Sequence, residues 1–205
     1  MRESFVHGNE LIRYARSRLL TPAFLLVCGI CAFLTLAFKG DTPTWRALLI
    51  IGPYLLALVG LRIWDDLADL PLDRQRHPSR VLCRSGNLPL FRTLAAAAVA
   101  SPLLLSWQSP GAGVAYLLYC VVLAATYAST QARAALSAGA SLQRKARVAV
   151  VLMKYPVVCA SALLALRQLV HDFAVIQALL LLYAAAVAHE VVSHRGCGDS
   201  TSTRG

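Results

Sequence analysis

Six stretches of this chain approach the length and apolarity needed to cross a lipid bilayer, and that limits what it can fold into. A spanning helix takes about 20 mostly apolar residues, because the hydrocarbon core is about 30 Å thick and a helix rises about 1.5 Å per residue. The stretches are Leu19–Phe38, Ala47–Leu61, Phe91–Trp107, Gly111–Ala128, Val148–Leu166 and Phe173–Ala188. The second is short and needs Trp45 and Arg46, or Trp64, to finish its crossing; the third is alanine-rich. The expected fold is all-α: a polytopic transmembrane helical bundle of about six spans, in one domain covering residues 1–205. Charged residues make up only 15% of the chain, against about 25% in soluble domains. A disordered tail or a soluble nucleic-acid binder is thereby excluded, even though the formal net charge is +10.

The placement of the basic residues supports the same count. Arg2, Arg13, Arg16 and Arg18 precede the first stretch, and Arg62, Arg74, Arg76, Arg80, Arg84 and Arg92 surround the second connection. Arg133, Arg144, Lys145 and Arg147 fill the fourth connection, and Arg195 and Arg204 lie in the tail. Only Lys39, Arg46 and Arg167 fall on the other side, while Lys154 lies inside the fifth stretch. An even number of crossings puts all four basic groups on one face, which the positive-inside rule assigns to the cytoplasm. Both termini are expected there, and the positive charge reads as topology, with no nucleic acid among the partners. The first stretch is too long and too poorly flanked for a cleaved signal peptide, so a retained helix is expected.

Neither an internal repeat nor a linker divides the chain. Ser129 to Arg147 has the composition of a short surface helix, and Gly196 to Gly205 that of a loop. Cys28 and Cys31 form a CxxC within an apolar helix, where small packing residues are the expected reading.

Chemistry is concentrated in one polar connection. Of ten acidic residues, four fall within nine positions: Asp65, Asp66, Asp69 and Asp73. On a continuous helix the last three lie within about 60° of one another, and several pairs stand at like-charge neighbour spacing, costing a few tenths of a kcal/mol each. A divalent cation compensates such stacking. An all-oxygen set suits magnesium, which keeps several waters and binds through one or two carboxylates plus substrate phosphates. The neighbouring arginines offer planar donors matched to phosphate oxygens. The segment therefore reads either as a site for a magnesium-complexed diphosphate or as a charged loop whose aspartates pair with its own arginines. Pro71 interrupts the helix, so Asp73 is expected on a turn.

The run from Arg62 to Gly86, RIWDDLADLPLDRQRHPSRVLCRSG, resembles the first aspartate-rich motif of the UbiA superfamily of intramembrane prenyltransferases, N-D-x-x-D-x-x-x-D followed by H-P-x-R and a Gly. Asp65 stands where the family usually has Asn. Asp66, Asp69 and Asp73 match its three metal-and-diphosphate aspartates, and His77, Pro78, Arg80 and Gly86 match the downstream signature, with Val81 in place of a frequent Pro. The resemblance implies a helical bundle in which magnesium and a polyprenyl diphosphate are held by Asp66, Asp69 and Asp73. Arg80 becomes a phosphate contact, and a prenyl group passes to a small, commonly aromatic acceptor within the bilayer. Asp65 and Lys154 join the expected substrate-binding set, Lys154 pointing at the diphosphate with Asp66 or Asp69 as its partner when the site is empty. Snorkelling to the headgroups is the alternative for this lysine. The family carries a second aspartate-rich motif after its sixth helix and then three more helices. Here Glu190 and Asp199-Ser200-Thr201-Ser202 are the faint counterpart. About 60 further residues would be needed for those helices, so a truncated enzyme, a fragment or a reduced form that assembles with something is expected.

Other readings are weaker. His189-Glu190-Val191-Val192-Ser193-His194 lacks the second histidine four residues on that a zincin needs. Leu70 follows Asp69 where a CDP-alcohol phosphotransferase wants Gly. A transporter would place acids at mid-membrane, not at a helix end. Tyr54, Tyr116, Tyr119 and Tyr127 are packing or cavity-lining residues. A non-catalytic relative that binds lipid diphosphate, or serves as an assembly partner, remains the reading from a different class.

Overall fold

A computed structural model describes residues 9–105, 107–134, 148–166 and 173–196, and within them all side chains except those of 76, 130–134 and 189–196. All regular structure among the described residues is helical. We number the helices α1 (Asn9–Leu19), α2 (Pro22–Ala37), α3 (Thr44–Ala68), α4 (Leu70–Arg76), α5 (Val81–Arg84), α6 (Leu88–Ala100), α7 (Pro110–Ala134), α8 (Val148–Ala165) and α9 (Phe173–Gly196).

Four helical stretches are long and apolar enough to span a membrane: α3, α6 with its 3₁₀ extension Ser101–Leu105, the Pro110–Ser129 part of α7, and α8. A fifth is counted if α1 and α2 form one bent span, whereas the apolar part of α9, Phe173–Ala188, is shorter. The six apolar stretches of the sequence are thus all helical, but four or five meet the length requirement. The second, expected to be short, is the 25-residue α3 and runs past Trp64 to Ala68.

The break between α1 and α2 is a 74° bend with a local cause. Pro22 lacks an N–H and holds Thr21 extended (φ −73°, ψ 141°), so α1 cannot continue through it. The last turn of α1 is π-helical, and the Leu20 N–H donates to the Ala15 carbonyl at 2.8 Å.

α3 and α8 are the central helices. α3 packs most extensively on α6 and also on α2 and α8; α8 in turn touches α2, α7 and α9. Gly60 permits the close approach of α3 and α6: a Cβ there would lie 2.7 Å from the Val99 nitrogen, 2.8 Å from Ala98 Cβ and 2.9 Å from the Ala95 oxygen. Small residues let helix backbones approach in this way where no hydrophobic effect drives them together. The Ser101 hydroxyl, 2.7 Å from both the Pro53 and Ala98 carbonyl oxygens, ties α3 to the end of α6.

The outer surface is apolar. Leu25, Leu26, Phe33, Leu49, Leu118, Val121 and Leu181 are all at least half exposed. A water-facing surface rarely shows this, and lipid contact suits it. The pattern is that of a membrane protein. Cys28, Cys31, Cys83, Cys120 and Cys159 are free, in keeping with packing roles.

Candidate functional site

The C-terminal end of α3 presents Asp65 and Asp66 in succession. Consecutive helical residues point about 100° apart, so the two carboxylates enter different surroundings.

Asp66 faces a polar pocket of about 290 Å³ between α1, α3, α4 and α5. Arg18 donates from Nε to Oδ2 at 2.9 Å and from Nη2 to Oδ1 at 2.5 Å, a forked charge-assisted contact. Tyr14, one turn earlier on α1, donates its hydroxyl to Oδ2 at 2.8 Å, and Arg62 Nη2 lies 3.8 Å from Oδ1. Tyr14 is itself fixed edge-on against the Phe91 ring, centroids 5.2 Å apart. Ser85 donates to Glu10 at 2.7 Å and pins the start of α1 beside the connection.

The helix breaks at Asp69, as Pro71 requires, but a new helix starts at once. Pro71 occupies the first turn of α4, where its missing N–H costs nothing, and Asp73 lies in that same turn. The turn expected for Asp73 is therefore corrected to a short helix. Asp73 opens into the same pocket as Asp66, with Arg80 Nη1 2.5 Å from its Oδ2. The H-P-x-R segment carries Arg80 back over α4: the His77 N–H donates to the Asp73 carbonyl at 2.7 Å, and Arg80 then caps α5. Ser17 and Ser79 complete the polar lining. Asp69 joins the two helices through backbone bonds, its N–H donating to the Asp65 carbonyl at the end of α3 and its own carbonyl accepting from the Leu72 and Asp73 N–H groups of α4, and it is not among the lining residues.

Asp65 points the other way, into the protein. Lys154 of α8 donates to its Oδ2 and Tyr127 of α7 to its Oδ1, so three helices meet on one carboxylate. Lys154 is 1% exposed, and its Nζ stands 5.2 Å from the centre of the Tyr155 ring. Trp64 leans on Tyr127, centroids 6.0 Å apart. Lys154 is therefore buried and partnered, as one of its two readings has it, and does not snorkel. The expected partner is corrected: it is Asp65 in place of Asp66 or Asp69, because α8 packs on the face of α3 turned away from the polar pocket.

The structure thus brings Asp66, Asp73 and Arg80 together and sets Asp65 with Lys154 apart from them. Sequence reasoning assigned Arg18 to topology alone and gave Tyr14 no role. The spacing of these two residues, one helical turn apart, was the available signal, but nothing in it named Asp66 as the target. Arg144, Lys145, Arg147 and Asp199-Ser200-Thr201-Ser202 lie outside the described residues, as do the side chains of His189, Glu190 and His194.

Among the described residues, no group of three or more His, Cys, Asp or Glu is disposed to hold a metal. Two carboxylates in one pocket do match magnesium's habit of taking one or two protein carboxylates and completing its shell with phosphate oxygens and water. Compared with protein-family models, with curated proteins and with solved structures, the chain matches none.

Proposed function

We propose that this chain is a UbiA-type prenyltransferase that moves a prenyl group from a polyprenyl diphosphate to a small, aromatic acceptor within the membrane. The observation that carries the reading is the convergence of Asp66 and Asp73 with Arg18 and Arg80 in one pocket. Two carboxylates and two guanidinium groups form the donor set that a magnesium diphosphate needs. The sequence from Arg62 to Gly86, with its likeness to the family's first aspartate-rich motif, supplies the chemical identity. We further read six crossings with both termini on the cytoplasmic face, supported by the six apolar helices and the four basic groups.

In this reading Asp66 and Asp73 would hold magnesium, while Asp69, which the resemblance also counts among the metal aspartates, lies outside the lining of their pocket. When bound, the metal neutralises the diphosphate and stabilises the charge it gains as the allylic C–O bond breaks. Arg18 and Arg80 turn from the carboxylates to the phosphate oxygens, an exchange of one charge-assisted contact for another. Tyr14 keeps Asp66 oriented while Arg18 does so. The apolar bundle excludes water, so the allylic carbon meets the acceptor before it meets hydroxide.

One observation favours the second reading, a membrane protein that binds lipid diphosphate without catalysis. Asp65, Asp66 and Asp73 each already hold a cationic side chain of this chain, Lys154, Arg18 and Arg80. Diphosphate release from a long-chain prenyl diphosphate separates the two. With the purified chain, release that requires magnesium and is lost, at least 100-fold, in Asp66→Ala and Asp73→Ala supports the enzyme. Saturable binding of the same compound without release supports the binding protein. Neither release nor binding by a folded chain overturns both.

A further inference from the structure

On the opposite side of α3 from the polar pocket lies a second cavity of about 680 Å³, within the range of about 300–1,000 Å³ typical of ligand sites. It is a groove between α6 and α7. Tyr116 of α7 donates to the Val99 carbonyl of α6 at 2.8 Å, and the Ser101–Leu105 turn meets α7. The groove is walled by Ala96 and Ala100 on α6 and Ala124 and Ala128 on α7. Trp64 and Leu67 of α3 also line it.

Its dimensions and its one charge define what it fits. From Arg92 on α6 to Leu103 in its 3₁₀ extension the lining spans twelve residues, and from Tyr116 to Ala128 on α7 thirteen, about 17–18 Å of helix. Half of a hydrocarbon core of about 30 Å is about 15 Å, the depth of one leaflet. Arg92 lines one end. It is exposed, and no carboxylate among the described residues pairs with it. The other end holds Leu103, Leu117 and Tyr116, whose hydroxyl is engaged by the Val99 carbonyl.

We infer that this groove is a binding site for an anionic phospholipid, one acyl chain lying along it and the headgroup phosphate on Arg92. Arg92, the one charged side chain among the described lining residues, stands at the mouth of an apolar slot about one leaflet deep and complements a negative headgroup above a hydrocarbon tail. The tail of a diphosphate held at Asp66 is a poor occupant: Trp64 and Asp66 lie about 160° apart around α3, so that tail would have to pass the helix to enter. The site is independent of the catalytic reading and survives its failure.

Native mass spectrometry of the purified full chain, titrated with phosphatidylglycerol or with phosphatidylcholine of the same acyl chains, tests this. The expected result is about five-fold tighter phosphatidylglycerol binding, the worth of one basic residue near an anionic headgroup. Arg92→Ala reduces phosphatidylglycerol to the phosphatidylcholine level, while Arg74→Ala, at an exposed arginine outside the groove, leaves the preference intact. Ala124→Leu, which fills the slot without touching charge, weakens both lipids, and an unchanged melting temperature for each variant keeps the comparison valid. Equal binding of the two lipids, or a preference that survives Arg92→Ala, overturns the proposal. So does displacement of phosphatidylglycerol by a long-chain prenyl diphosphate at equal concentration, which would make the groove the donor's tail site. A dimer that excludes the lipid would make it a contact between copies and overturn it equally.

Discussion

Asp65 and Lys154 place opposite charges where neither reaches water, 89 residues apart in sequence. Taking two ions out of water is expensive, and only their mutual attraction and the extra bond from Tyr127 offset it. Removing one partner leaves the other buried and uncompensated, at a cost of about 3–5 kcal/mol, whereas an apolar pair of similar volume is often neutral. Lys154→Met and Asp65→Leu are each expected to lower the melting temperature in detergent sharply, and the double variant to melt above both. A double variant whose loss equals the sum of the two singles would show that the residues are not coupled. The sequence demanded some partner for a lysine inside a span. It could not say which aspartate, because adjacent carboxylates on a helix differ by about 100° and only the packing of α8 against α3 chooses between them.

At the scale of the element, α3 and α6 are held by what Gly60 lacks. A methyl group there would press on the backbone of Ala95 and Val99, neither of which is a flexible side-chain end. Gly60→Ala is expected to cost about 1–3 kcal/mol as an overpacking substitution, read as a lower melting temperature. Gly29→Ala, in the interior of α2, meets nothing within 4 Å and gains up to about 1 kcal/mol in helix propensity. Equal effects of the two would mean that the helices separate freely and that the close approach does not matter. The acidic connection carries the same lesson about local signals. Pro71 announced a break, and the break occurs, but the chain after it folds into α4 because proline is as well suited to the first turn of a helix as it is unsuited to the middle. That reorientation, together with the bend before Pro22, lets Arg18 and Arg80 reach two aspartates on successive helices.

For the molecule as a whole, the outward-facing leucines and phenylalanines make lipid the natural surroundings. Both termini are expected on the cytoplasmic side: a reporter active only in the cytoplasm should be active when fused at either end. Activity at one end alone would mean an odd number of crossings, and the shorter apolar part of α9 is where the count would change. That the chain is helical and suited to a membrane was legible without coordinates, because the length and apolarity of a stretch are local properties and the bilayer enforces internally satisfied backbone. The acidic connection stood out for the same reason, since like charges stacked within nine positions need a cation from somewhere. Which cations supply it was decided only in three dimensions. Arg18 and Tyr14 lie 48 and 52 residues from Asp66, and the groove beside Arg92 is assembled from α3, α6 and α7. Rotation, crossing and separation of helices arise from packing between distant segments, and no stretch of sequence read alone contains them.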